Sequence, residues 1–162
     1  RLRRLPSSRL GGRQQERTPR LAQPAPPALT RTAMVKLKRI YDVRSPEDGY
    51  RVLVDLRWPK GVRKESAAID GWAKILAPSA ELLGFFWHNA KKWAAFCARY
   101  RTQLQAPAAL EALERLSIMA RRGTVTLVYA SRDTARNNAV VLKELLDSLI
   151  SDGTPGTWTP RP

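Results

Sequence analysis

The sequence predicts an α/β fold, a small sandwich with a mainly parallel central sheet flanked by helices. Three observations carry that expectation. Arg51-Val-Leu-Val-Asp-Leu-Arg-Trp58 and Thr124-Val-Thr-Leu-Val-Tyr-Ala130 are short apolar runs, rich in β-branched residues, the composition of strands covered on both faces. The long segment between them carries helical periodicity, as a crossover joining parallel strands must. The element order is strand, strand, several helices, strand, helix, with no internal repeat.

The first strand is expected over Val35–Val43, where apolar and basic residues alternate as on a half-exposed edge, the lysines solvating it. Ser45-Pro-Glu-Asp-Gly49 is a turn. The organising strand follows over residues 51–58 and is stopped by Pro59 and Gly61. Alternation puts Leu53, Asp55 and Arg57 on one of its faces and Val54, Leu56 and Trp58 on the other. A basic loop, Lys60-Gly-Val-Arg-Lys64, leads to a short helix expected over Ser66–Leu76, which Gly71 weakens. Ala77-Pro78 breaks it, and Ser79 is placed to cap a helix through Leu82, Leu83, Phe85 and Phe86. Asn89 is the cap expected for the next, whose apolar stripe is Trp93, Phe96, Cys97, Tyr100 and Leu104. Cys97 therefore reads as a packing thiol. Phe85-Phe86-Trp87 reads first as buried aromatic surface, with a dimer contact as the alternative. Pro107 suits the first turn of a further helix, with Leu110, Leu113, Leu116 and Ala120 as its buried stripe and Gly123 as its end. The last helix buries Leu142, Leu145, Leu146 and Leu149 and closes at Gly153, and residues 153–162 read as a flexible tail.

The chain has 162 residues and 43% hydrophobic content, enough for one domain with a real core, expected over 34–152. A lone cysteine excludes an internal disulfide and fits a reducing compartment. With a lone histidine as well, no His/Cys metal cage can form within the chain. No apolar run reaches the roughly 18 residues a membrane helix needs, so no membrane contact, metal or cofactor is expected. Eight arginines against Glu16 give residues 1–33 +7 of the net +15. That segment is Pro-, Ser- and Gln-rich without hydrophobic period, a disordered composition. Met34 is the first methionine and immediately precedes the patterned region. The expectation is a mis-assigned translation start or processed extension, with a transit peptide or a nucleic-acid arm as alternatives.

Parallel neighbours bring their C-terminal loops together, and open α/β sheets bind ligands there. One loop supplies Asp55, Arg57, Trp58, Lys60 and Arg63; the other supplies Tyr129, Ser131, Arg132, Asp133, Asn137 and Asn138 at a helix start. Helix N-termini and basic side chains favour anions, so these residues are the candidate pocket for an anionic small molecule. The plainer alternative is that Asp133 or Thr134 caps the helix and the cations face water. No Gly-rich nucleotide fingerprint, phosphate-binding loop or nucleophile elbow is present. His88 stands in no recognisable catalytic context.

Val54-Asp-Leu-Arg-Trp-Pro-Lys-Gly61, Trp72 with Ala77-Pro-Ser79, Trp93 and Phe96 with Tyr100, Val125-Thr-Leu-Val-Tyr-Ala130 and Asn137-Asn-Ala-Val-Val-Leu142 resemble the YeaO-like family. This is a set of small bacterial proteins classed as a domain of unknown function. The resemblance runs over roughly residues 35–150 with the motifs in order. It implies Met34 as the natural start, a cytoplasmic bacterial setting and an α/β fold, and supplies no established substrate or catalytic residue. The family pattern usually reads Val-Asp-Arg-Leu-Trp-Pro-Arg-Gly, so Leu56-Arg57 reverses the order and moves the cation to the opposite strand face. A pocket relying on that cation must then recover it from the loop. Asn137-Asn138 stands where an Asn-His or Asn-Asn pair is common.

Function is therefore expected to be binding of an anionic small molecule at the strand ends, with turnover left open. A nucleic-acid-binding module is one alternative; against it, Trp93, Phe96 and Tyr100 sit at core spacing rather than on a stacking surface. A non-catalytic interaction or stress-related protein is the other. Oligomeric state cannot be read from these residues.

Overall fold

Residues 33–152 are described in the computed structural model; the expected basic extension, up to residue 32, and the expected tail from residue 153 lie outside them. In chain order the elements are β1 (Met34–Arg39), β2 (Tyr50–Leu53), α1 (Lys64–Ala67), β3 (Gly71–Trp72), α2 (Ala80–Phe86), α3 (Trp93–Gln103), α4 (Pro107–Arg122), β4 (Thr124–Tyr129) and α5 (Asn138–Ser151). Short 3-10 turns stand at Pro46–Asp48, Lys74–Leu76 and Ala90–Lys92. All strand pairs are parallel, in the order β1-β4-β2-β3. This is the small parallel α/β fold expected, with β2 and β4 adjacent and the α2–α4 crossover between them.

Strand alternation divides the core. Val52, Val54, Val125, Leu127 and Tyr129 face α2–α5 and pack with Phe96, Tyr100, Leu113, Leu116, Leu142 and Leu146. Ile40, Leu53 and Val128 face the other way, onto Ala67 of α1, Trp58 and Trp72. Among the described residues the helical cover is thus unequal: four helices on one face, one short helix and its loops on the other. Burying each large apolar side chain contributes roughly 1.5–3 kcal/mol before chain entropy is subtracted.

At the N-terminal edge of the sheet the second face turns polar. Buried Asp48 accepts hydrogen bonds from Lys38 Nζ at 2.7 Å, Arg51 Nη1 at 2.6 Å and the Ser45 N–H at 3.0 Å, and its carbonyl accepts from Thr126 Oγ1 at 2.6 Å. Lys36 Nζ donates to the Glu47 carbonyl at 3.1 Å. The β1 lysines are therefore clamps onto the preceding turn of β2, not merely solvated edge charges.

Several boundaries differ from the sequence expectation. The organising strand ends at Leu53 rather than residue 58. Val54 N still donates to the Val128 carbonyl at 3.0 Å, but the next rung of a parallel ladder would run from Ala130 N to the Val54 carbonyl. Side chains take both positions: Asp55 Oδ2 accepts from Ala130 N and Asn138 Nδ2 donates to the Val54 carbonyl, each at 2.8 Å. Residues 55–57 bend away, so the expected face assignment fails beyond Val54 and Trp58 joins Leu53 on the second face. β1 ends at Arg39, where Asp42 folds back onto the Arg39 N–H, and Val43 is left 87% exposed. The expected helix over 66–76 is replaced by α1, strand β3 and a 3-10 turn. Arg51 Nε and Nη2 bond the Ala68 and Ala67 carbonyls, and Asp70 Oδ2 takes the Arg51 N–H. These tertiary bonds draw Gly71–Trp72 onto the edge of β2. In α4 Leu113, Leu116 and Ala120 are buried as expected, joined by Ala109, Ala112 and Ser117, while Leu110 is exposed. Cys97 packs half-buried against the core.

Ser79 and Pro107 open α2 and α4 as the sequence expected, whereas Asn89 caps the 3-10 turn at Ala90–Lys92 and α3 itself starts after Lys92 without a side-chain cap. Ser79 Oγ accepts from Leu82 N at 3.1 Å, and Asn89 Oδ1 accepts from Lys91 N at 3.0 Å.

Candidate functional site

After β2 the chain turns onto the second face toward α1; after β4 it turns onto the first, into α5. Divergence of neighbouring parallel strands opens a crevice at their carboxyl ends. A cavity of about 800 Å³ lies there. The β2 exit contributes Asp55, Leu56 and Arg57, and the β4 exit contributes Ala130, Ser131, Arg132, Asp133, Arg136, Asn137 and Asn138. The remaining wall is Pro78, Ala80, Leu83, Gly84, Phe86, Trp87 and His88 around α2, with Phe96 behind it.

Seven residues named from the strand-end loops meet here: Asp55, Arg57, Ser131, Arg132, Asp133, Asn137 and Asn138. Four others lie elsewhere. Trp58 donates its indole N–H to the Val62 carbonyl at 2.7 Å and packs edge-on against Trp72, with ring centroids 5.6 Å apart. Lys60 and Arg63 are exposed on the loop before α1. Tyr129 points into the core beneath the helices. Burial and the Asp42 carboxylate push its phenol up, against Arg39 and the Asn137 amide. The bend at residues 55–57 accounts for the first three: the loop leaves the sheet edge before it reaches Trp58.

The polar wall is pinned by its own hydrogen bonds. Asn137 caps α5 by accepting from Val140 N at 3.2 Å and donates to the Asp133 carbonyl at 2.9 Å. Asp133 takes the Ala135 and Arg136 N–H groups and Arg136 Nε, each at 3.0 Å. Its carboxyl is held low chiefly by that Arg136 bond and the two backbone donors. Asp133 thus shapes the loop, and the α5 cap is Asn137. Ser131 Oγ donates to the Asp133 carbonyl at 3.3 Å, while the Ser131 carbonyl takes Arg39 Nε at 2.9 Å.

Asp55 is different in character. Burial pushes its carboxyl up, and the Ala130 N–H and Asn138 amide only partly offset this. Beneath it, Tyr100 donates to the Leu76 carbonyl. Burial pushes that phenol well up, and the Asp55 charge adds to the effect. Arg57 and Arg132 have no hydrogen bond or ion pair among the described residues, whereas Arg136 is paired with Asp133 at 3.0 Å. Two cations are therefore free to meet a ligand, and one is committed to the loop. Among the described residues, no group of three or more His, Cys, Asp or Glu side chains could hold a metal ion, and no helix is long and apolar enough to cross a membrane.

Sequence reasoning missed the apolar wall. Its signal was present in Phe85-Phe86-Trp87-His88, but the three aromatics divide. Phe86 is buried, Phe85 lies under Arg99 and Lys92 at 4.0 and 4.9 Å, and Trp87 is exposed.

A profile of the family described as "Inactive DUF488-N3 subclade" matches residues 34–157. The uncharacterized protein Rv3073c of Mycobacterium tuberculosis is 40% identical over 119 residues, 74% of this chain and 98% of that protein. The uncharacterized protein YeaO of Escherichia coli K12 is 38% identical over 115 residues, 71% of this chain and 98% of its own length. No solved structure matches significantly.

Proposed function

The chain belongs to the YeaO-like DUF488-N3 family, and on that footing we propose that it binds a small organic anion in the cavity at the carboxyl ends of β2 and β4. One observation carries the reading: an apolar wall from α2 faces into the same cavity as Arg57 and Arg132, neither of which has an ion-pair partner among the described residues. Specific small-molecule sites combine such apolar lining with a few placed polar groups, in volumes of roughly 300–1,000 Å³. A guanidinium exposed to solvent gains little from a surface partner. One at a cleft mouth, beside apolar walls, binds a carboxylate or phosphate more strongly because water is partly excluded.

The description of the family as inactive supports binding without turnover. So does the position of Asp55, whose Oδ2 is occupied by the Ala130 N–H. A reducing cytoplasmic setting suits a chain with one half-buried thiol.

The test is a thermal-shift and calorimetric screen of the full chain. It uses phosphorylated metabolites, nucleotides, carboxylic acids and short oligonucleotides, each at low and high salt. A salt-resistant rise in Tm with one small anion is expected, lost in the Arg57→Ala/Arg132→Ala double variant. Shifts with oligonucleotides alone, erased by salt, would replace this reading with nucleic-acid binding. No shift with any probe would remove it.

A further inference from the structure

Trp87 is 80% exposed and lines the cavity. Four tryptophans fall among the described residues, and three are engaged. Trp58 and Trp72 donate their indole N–H groups to the Val62 and Asp55 carbonyls at 2.7 and 2.8 Å. Trp93 stacks on Phe96, with centroids 5.5 Å apart and planes 16° from parallel. The Trp87 indole has no ring, cation or hydrogen-bond partner among the described residues. A large apolar ring left in water at a cleft mouth is an unfilled contact surface.

Its backbone points the same way. Trp87 ends α2 at φ 35° with its N–H on the Leu83 carbonyl at 2.9 Å, and His88 follows at φ 53°. Helix ends of this left-handed kind normally carry Gly or Asn, because a Cβ is disfavoured there. Consecutive bulky residues in that conformation are strain of the sort that collects at binding sites. Here it sets an indole and an imidazole on the rim of the one cavity that also holds Arg57 and Arg132.

We propose that Trp87 is a stacking platform, and that the ligand joins a flat aromatic or heteroaromatic ring to an anionic group. The ring lies against Trp87 while the anion meets Arg57 and Arg132. This rests on the cavity being a binding site and names the class of ligand that it takes.

The experiment measures binding of matched pairs to the full chain by calorimetry: adenosine 5′-monophosphate against ribose 5-phosphate, and phenylacetate against cyclohexylacetate. The members of each pair share their charged group and differ in the flat ring. In at least one pair the ring-bearing member should bind about tenfold more tightly, since stacking on an aromatic side chain contributes roughly 1–3 kcal/mol. Trp87→Ala should abolish that preference and Trp87→Phe should retain most of it. Equal binding within both pairs, still sensitive to Arg57→Ala/Arg132→Ala, would overturn the stacking role and leave the anion site standing. A preference that survives Trp87→Ala would likewise overturn it. Failure of all four compounds to bind would overturn the stacking proposal, while the wider anion screen decides separately whether the site stands.

Discussion

At Asp48, burial pushes the carboxyl up while hydrogen bonds from Lys38, the Ser45 N–H and Arg51 pull it down, and the balance leaves it at about 2 against an ordinary 3.8. A lowered carboxyl contributes stability that is complete above its unfolded pKa and disappears as pH falls through the folded one. The window is therefore pH 3.8 down to about 2, and the contribution is about 2 kcal/mol. Asp48→Asn also strands Arg51, which is 5% exposed, so the loss at pH 7 should reach roughly 3 kcal/mol or more in urea unfolding. The gap between wild type and variant should narrow below pH 4. A gap independent of pH would show that Asp48 does not act through its charge. Asp55, shifted the opposite way, is common to both proteins and cancels from the comparison. Asp48 was visible in the sequence only as part of a turn, because its partners Lys38 and Thr126 come from other strands. That Asp55 and Asn138 would lie together at the strand ends was legible from the rule that parallel strand ends converge, and both line the cavity there. Their second role, replacing a ladder rung, was not legible, because it depends on the register of β2 against β4.

Among the elements, the starts of α2 and α4 at Ser79 and Pro107 and the courses of the long helices α4 and α5 were readable from local chemistry, while the segment from 54 to 76 was not. Its course is set by bonds to distant residues, from Arg51 to the Ala67 and Ala68 carbonyls and from Trp72 Nε1 to the Asp55 carbonyl. Local pattern there pointed to a strand up to residue 58 and a helix over 66–76, and tertiary contacts prevailed. The same distinction between local and tertiary constraint separates two glycines. Gly49 turns the chain into β2 at φ 61°, and an added Cβ would lie 2.1 Å from the Thr124 carbonyl oxygen. Gly61 has φ 76° with nothing within 4 Å. Gly61→Ala should cost about 1 kcal/mol, the penalty for a Cβ in the left-handed region. Gly49→Ala should cost roughly 3 kcal/mol or more, because the clash is with backbone inside the sheet. Equal losses of midpoint in urea would refute the close approach at Gly49.

Across the whole molecule, the sheet has a polar clamp at its N-terminal edge and an open cavity at its carboxyl edge, so rigidity and candidate binding are at opposite ends. The cavity lies at the strand ends, where the sequence placed the candidate residues, whereas the clamp depends on contacts that no local pattern discloses. The strand order β1-β4-β2-β3 also has a consequence for how the protein is made. Among the described residues β1 has no strand partner other than β4, and β2 pairs with β4 and the two-residue β3. Until the ribosome has delivered Thr124–Tyr129, the sheet lacks its central member, and the first two strands wait with most of their hydrogen-bonding groups in water. Assembly must then close several long loops nearly at once, which slows it. Chains stalled with Arg122 just outside the exit tunnel should be digested rapidly by protease, while those stalled with Asp152 outside should resist. Protection at the earlier stall would mean that the helices hold a stable nucleus by themselves. The last-made strand of this sheet is its keystone: β4 joins β1 to β2, so the sheet cannot close before it is made.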